Sequence, residues 1–130
     1  MKHVEDSHQE ALFSWARTKG FVLPGRGLVN LIDYMYAIPN GGKRGKLEAA
    51  RLKKQGVKAG VSDIHLTLPH NGFYGLWIEL KRPIIKGQSK PSVSKSQKEW
   101  INRMNDNGHK AVVAYGVKEA KAAIESYFLV

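Results

Sequence analysis

Two seven-residue stretches of this chain alternate between side chains of opposite character, Ser62 to Leu68 and Gly75 to Lys81. A repeat of two belongs to strands with two different faces, and Asn71-Gly72 between them is a strong tight-turn signal. The pattern predicts an antiparallel hairpin. One face carries Ile64, Leu66, Leu68, Leu76, Ile78 and Leu80; the other carries Asp63, His65, Thr67, Trp77, Glu79 and Lys81. With the turn centred near Asn71, Asp63 falls opposite Glu79, with Cβ atoms about 5 Å apart. Lys81 follows two residues along on the same side. Carboxylates placed opposite one another repel unless a positive charge lies between them. A divalent cation that prefers hard oxygen ligands, Mg²⁺ or Mn²⁺, suits the place, and the edgewise carbonyl of Leu80 offers a further ligand. The same three side chains could instead be an ordinary solvated strand face.

Around the hairpin, the spacing predicts a helix over residues 4–19 closed by Gly20, a strand within 30–39 ending before Pro39, and a basic helix over 46–55 stopped by Gly56. After a loop at 82–93 rich in Pro, Gly, Ser and Lys come a helix over 94–107, a buried strand over 110–115 and a last helix over 117–128. The order is α-β-α-β-β-α-β-α, an α/β (mixed α+β) chain. At 130 residues, with no repeat or long linker, it is expected to form a single domain over 1–130.

The formal net charge is +10, and its placement is uneven. Residues 41–60 and 81–103 each carry a net +6, leaving −2 for the rest. Such clustering suits a phosphate backbone better than a uniformly soluble surface, though it says nothing of sequence or strandedness. Zero cysteines exclude a disulfide framework, a thiolate zinc site and a cysteine nucleophile. No apolar run reaches the ~18 residues of a membrane span. Acids at Glu5 and Asp6 break the apolar run that a secretory signal needs, so a cytoplasmic setting is expected. The Gly-rich pairs lack the Gly-Lys-Ser/Thr signature of a P-loop, so no nucleotide cofactor is expected.

Gly60-Val61-Ser62-Asp63-Ile64, then Ile78-Glu79-Leu80-Lys81, then Gln97 at a helix start resemble the virus-type replication-repair nuclease (VRR-NUC) family of the PD-(D/E)XK superfamily. Ile38-Pro39-Asn40-Gly41-Gly42, Arg51-Leu52-Lys53, Trp100 and Gly108 extend the resemblance over about residues 5 to 128. Ser62 stands where the superfamily name has proline, a position that supplies no ligand. The resemblance implies a restriction-endonuclease-like core. It makes Asp63 and Glu79 metal ligands, Lys81 the catalytic lysine and Gln97 a neighbour of the acids. The reaction it implies is metal-assisted phosphodiester hydrolysis with in-line attack by water.

Families of this kind often place a glutamate of the first helix at the site. At about 100° per residue, Glu5 shares a face with Leu12 and Ala16, whereas Glu10 falls with Asp6 and Arg17. Glu5 is therefore chosen as the catalytic and metal-facing acid. Ser7-x-x-Glu10 gives Glu10 a capping-box role instead. Ser94-x-x-Gln97 is also a capping box, and Gln97 could serve both purposes. The histidines show no ligand spacing. Trp77 could stack on a base, although packing under a helix is commoner for tryptophan. The backbone contacts are expected from Asn40, Lys43, Arg44, Lys54, Lys58, Lys90 and Lys95. The resulting expectation is a Mg²⁺- or Mn²⁺-dependent DNA endonuclease, resembling homodimeric junction-resolving enzymes of DNA repair, replication or recombination, in a bacterial or phage-infected cell. The competing readings are a flap- or nick-directed nuclease and a non-catalytic basic DNA-binding protein.

Overall fold

A computed structural model describes residues 4–39 and 45–129. Its centre is a four-stranded mixed sheet in the order β3-β4-β5-β6, formed by Met35–Ala37, Ile64–Leu66, Leu76–Lys81 and Lys110–Tyr115. β3, β4 and β5 are antiparallel neighbours, and β6 lies parallel to β5. The parallel pair needs a crossover, which is α3 (Lys95–Asp106). The other helices are α1 (Val4–Ala16), α2 (Lys46–Lys54) and α4 (Val117–Phe128).

The hairpin forms in the expected register. Ile64 pairs with Ile78 and Leu66 with Leu76, which sets Asp63 level with Glu79. Asn71 and Gly72 both take positive φ, 50° and 87°, and His70 and Phe73 exchange backbone hydrogen bonds across the turn. These left-handed values are what an Asn-Gly turn provides at little strain. β4 is shorter than the alternation suggested, although Thr67 still donates its N–H to the Tyr34 carbonyl in continuation of the β3–β4 register.

One face of the hairpin makes the core. Ile64, Leu66, Leu68, Leu76, Ile78 and Leu80 are buried and pack with Leu12 and Ala16 of α1 and Ala120, Ile124, Tyr127 and Phe128 of α4. The opposite face is covered in part by α3, whose Trp100 ring meets the Trp77 ring edge-on at 5.2 Å. Consequently β5 is buried along almost its whole length. A central strand covered on both sides hides polar residues as well as apolar ones.

Three expectations need correction. The first helix ends at Ala16 rather than 19, where Thr18 Oγ1 donates to the Trp15 carbonyl. Gly20 opens a strand instead of capping that helix. Residues 20–30 form a hairpin of β1 (Gly20–Leu23) and β2 (Gly27–Asn30), followed by a short 3-10 helix at Leu31–Tyr34. Ser7 lies inside α1 and cannot serve as its N-cap. No described helix is long and apolar enough to cross a membrane.

Candidate active site

The hairpin brings Asp63 and Glu79 together at the end of β4, and α3 delivers Gln97 to Lys81. Asp63 lies just before β4 and is held from two sides. Its carbonyl accepts from Ile38 N–H at 2.7 Å, and its Oδ2 accepts from Leu80 N–H at 2.9 Å. The Leu80 carbonyl leaves β5 by the same edge as its N–H, since both groups of one strand residue point the same way.

Glu79 is only 2% exposed, and its Oε1 has no hydrogen-bond partner among the described residues. Burial pushes its carboxyl from the ordinary 4.5 up to about 9, and the hydrogen bond and negative charge of Asp63 add to the effect. Lys81 pulls in the opposite direction, while Glu5 raises the value further. In the metal-free protein, therefore, Glu79 favours its protonated form at neutral pH.

That state describes a site short of positive charge. A divalent cation fits because the donors are hard oxygens, because one of them is buried without a partner, and because a cation relieves the repulsion that raises Glu79. Among the described residues no group of three or more His, Cys, Asp or Glu side chains is arranged to cage an ion.

Lys81 is half-buried, and its Nζ donates to Gln97 Oε1 at 3.0 Å. The same oxygen accepts from Ser94 N–H at 2.8 Å, while Gln97 N–H donates to Ser94 Oγ at 3.2 Å. The capping box is thus complete. One amide starts α3 and anchors the lysine. It serves both of the purposes that the sequence left open.

Glu5 is exposed rather than turned inward, since it lies in the first turn of α1, ahead of the core residues Leu12 and Ala16. It is nevertheless near enough to act on Glu79. Glu10 lies along a separate groove with Asp6, Phe13 and Arg17. His65 is occupied by structure. Its ring stacks on Trp77 at 3.7 Å with 7° between planes, and its Nδ1 hydrogen-bonds the Tyr36 hydroxyl at 2.8 Å. Burial, aided by nearby His109, pushes it down to about 4, so it is neutral at pH 7. Trp77 is buried under α3, and its Nε1–H donates to His109 Nδ1 at 3.3 Å, so it is not available for stacking on a base.

Of the expected backbone contacts, Lys54, Lys58, Lys90 and Lys95 are exposed, and Lys90 Nζ rests 4.8 Å over the Tyr115 ring. Asn40, Lys43 and Arg44 lie outside the described residues. Two features escaped sequence reasoning. The Leu80 amide that fixes Asp63 has no side-chain signal. The apolar groove between α2 and Trp100 could have been sought in the unpaired apolar residues Leu52 and Val57.

Comparison with known proteins follows this geometry. The VRR-NUC domain family model matches residues 4–118. A solved structure described as a VRR_NUC domain protein is similar with a TM-score of 0.77 and 31% identity, over 98% of this chain and 89% of that chain. No curated protein matches. With the family model spanning most of the chain and the sheet carrying the expected mixed topology, the protein belongs to the VRR-NUC family of nucleases, with a PD-(D/E)XK-like fold.

Proposed function

We propose that this chain is a Mg²⁺- or Mn²⁺-dependent endonuclease that hydrolyses phosphodiester bonds in branched DNA, working over residues 1–130 as one catalytic domain. The observation that carries the reading is the buried Glu79 carboxylate, level with Asp63 and beside a lysine tethered by Gln97. A DNA-binding module gains nothing from two acids set against phosphate.

Asp63, Glu79 and the Leu80 carbonyl would hold the ion, with the exposed Glu5 of α1 near enough to add to their negative charge. When bound, a divalent cation supplies Lewis-acid polarisation of the scissile phosphate and acidifies water. The remaining work falls to the protein. Lys81 offsets the negative charge that develops on the phosphoryl oxygens. Gln97 keeps the Lys81 ammonium pointed at the acids instead of solvent, which limits the reorganisation left for the transition state. Exposed Lys54, Lys58, Lys90 and Lys95 bind the backbone without reading bases. Two cuts on a two-fold branched substrate call for two active sites related by a two-fold axis, so a homodimer is the proposed working form.

Incubation of the purified protein with labelled four-way junction, flap, nicked and linear duplexes, with Mg²⁺ or EDTA, tests this. The expected result is Mg²⁺-dependent cutting of branched DNA that disappears in Glu79→Ala. Cutting by Glu79→Ala at the wild-type rate overturns the mechanism. Tight binding with no cutting under any metal would leave a non-catalytic binder.

A further inference from the structure

Beside the acids lies a groove of about 560 Å³ whose walls are mainly apolar, formed by Ile38, Leu52, Val57, Val61 and Trp100, with Lys58 and Glu48 also lining it. Three links join it to the active site. Val61 precedes Asp63 by two residues, Ile38 donates its N–H to the Asp63 carbonyl at 2.7 Å, and Trp100 stands one helical turn beyond Gln97. The size falls within the usual range for small-ligand pockets, about 300–1,000 Å³.

The groove is not explained by packing. α2 has no buried residue, so its apolar Leu52 side serves no core, and Val57 is 40% exposed. The Trp100 indole N–H is buried and has no hydrogen-bond partner among the described residues. Its occupant must therefore offer a flat apolar surface for an aromatic wall and an acceptor for an N–H. It must also suit one charge of each sign, because Lys58 and Glu48 both line the groove, Glu48 with Arg51 Nη2 at 3.9 Å. A nucleobase meets all three conditions: it has a π-face, edge acceptors for the indole N–H, and both an exocyclic amine that can donate to Glu48 and an attached phosphate that Lys58 attracts.

We infer that this groove is a base pocket, receiving one unpaired nucleobase of the DNA next to the phosphate held at Asp63 and Glu79. The inference rests on the nuclease reading and sharpens it. The substrate is DNA that presents, or readily releases, an unpaired nucleotide at the branch point. Occupation by a base fixes which phosphate reaches the acids.

The probe is a branched duplex with a two-nucleotide flap carrying 2-aminopurine at its first unpaired position, compared with the same DNA abasic there. Binding is read with full-length Glu79→Gln protein in EDTA, and cleavage with wild type in Mg²⁺. Affinity for the base-bearing flap is expected to exceed that for the abasic flap by about tenfold or more, with quenching of 2-aminopurine. Leu52→Lys, on a helix without core contacts, is expected to bring that ratio near one without weakening the abasic complex, since the added charge favours phosphate. Trp100→Phe keeps a ring against Trp77 but loses the N–H, and is expected to reduce the ratio in part. Equal affinities and unquenched 2-aminopurine in the Glu79→Gln parent overturn the pocket. Cleavage of both flaps at the same rate overturns it too and leaves the nuclease reading standing. Failure to cut either flap or a junction in Mg²⁺ overturns the nuclease reading itself.

Discussion

Replacing Glu79 with glutamine separates the proton on this residue from everything else in the site. With its carboxyl raised to about 9, wild-type Glu79 is neutral in the folded metal-free protein at pH 7. Glutamine has the same shape and can donate to Asp63 as the protonated acid does. In the unfolded chain the carboxyl titrates near its ordinary 4.5. Between those values the folded wild type binds more protons than the unfolded chain, so its stability falls as pH rises. The slope from this one group approaches ~1.4 kcal/mol per pH unit, or about 2–3 kcal/mol between pH 5 and pH 7. Glu79→Gln has no such term. Urea unfolding of both proteins in EDTA at pH 5, 6, 7 and 8 should give nearly equal stabilities at pH 5 and a growing advantage for the variant above it. His65, pushed down to about 4 and common to both proteins, cancels in the difference. Adding Mg²⁺ at ~100 times its dissociation constant should then stabilise wild type by about 2.7 kcal/mol and leave the variant unchanged. A stability difference that stays flat across this pH range refutes the raised Glu79 carboxyl.

Other outcomes follow from the same geometry. Gln97→Ala removes the side-chain half of the capping box and the lysine tether but keeps the backbone bond to Ser94 Oγ, so it should cost about 0.5–1 kcal/mol in urea unfolding and lower kcat by roughly 100-fold through a misplaced Lys81; a kcat within twofold of wild type contradicts the tether. Ser62 is fully buried with an unpartnered hydroxyl, so Ser62→Ala should be neutral or stabilise by up to about 1 kcal/mol, and a clear fall in Tm contradicts this. Lys58→Ala should weaken DNA binding equally for all sequences and reduce the salt slope of log Kd by about 1, as read by anisotropy from low to moderate salt.

Much of this site is legible in the sequence because the hairpin carries its own register. The period of two assigns faces, Asn71-Gly72 fixes the turn, and together they set Asp63 against Glu79. Gln97 is legible because its helix start uses a standard capping pattern. Burial of Glu79 and Trp77 is harder to read, since alternation marks their face as polar while α3 covers it. The β1–β2 hairpin escapes for the opposite reason. Its runs are apolar on both faces, with Val22 78% and Leu28 69% exposed, so no alternation announces it. The available signal is the Pro24-Gly25 turn with Gly27, where Gly25 and Gly27 both take φ of 74°. Glu5 misleads in detail because a helical wheel assigns a direction but not a depth, and its first turn projects beyond the core.

Titration of Mn²⁺ into the protein at pH 7, by calorimetry in two buffers of different ionisation enthalpy, counts the protons displaced by the ion. Binding that releases about one proton per ion, and that is lost in Glu79→Gln, is the expected result. Mn²⁺ binding without proton release, or binding of equal strength in Glu79→Gln, would mean that the buried acid is not where the metal goes.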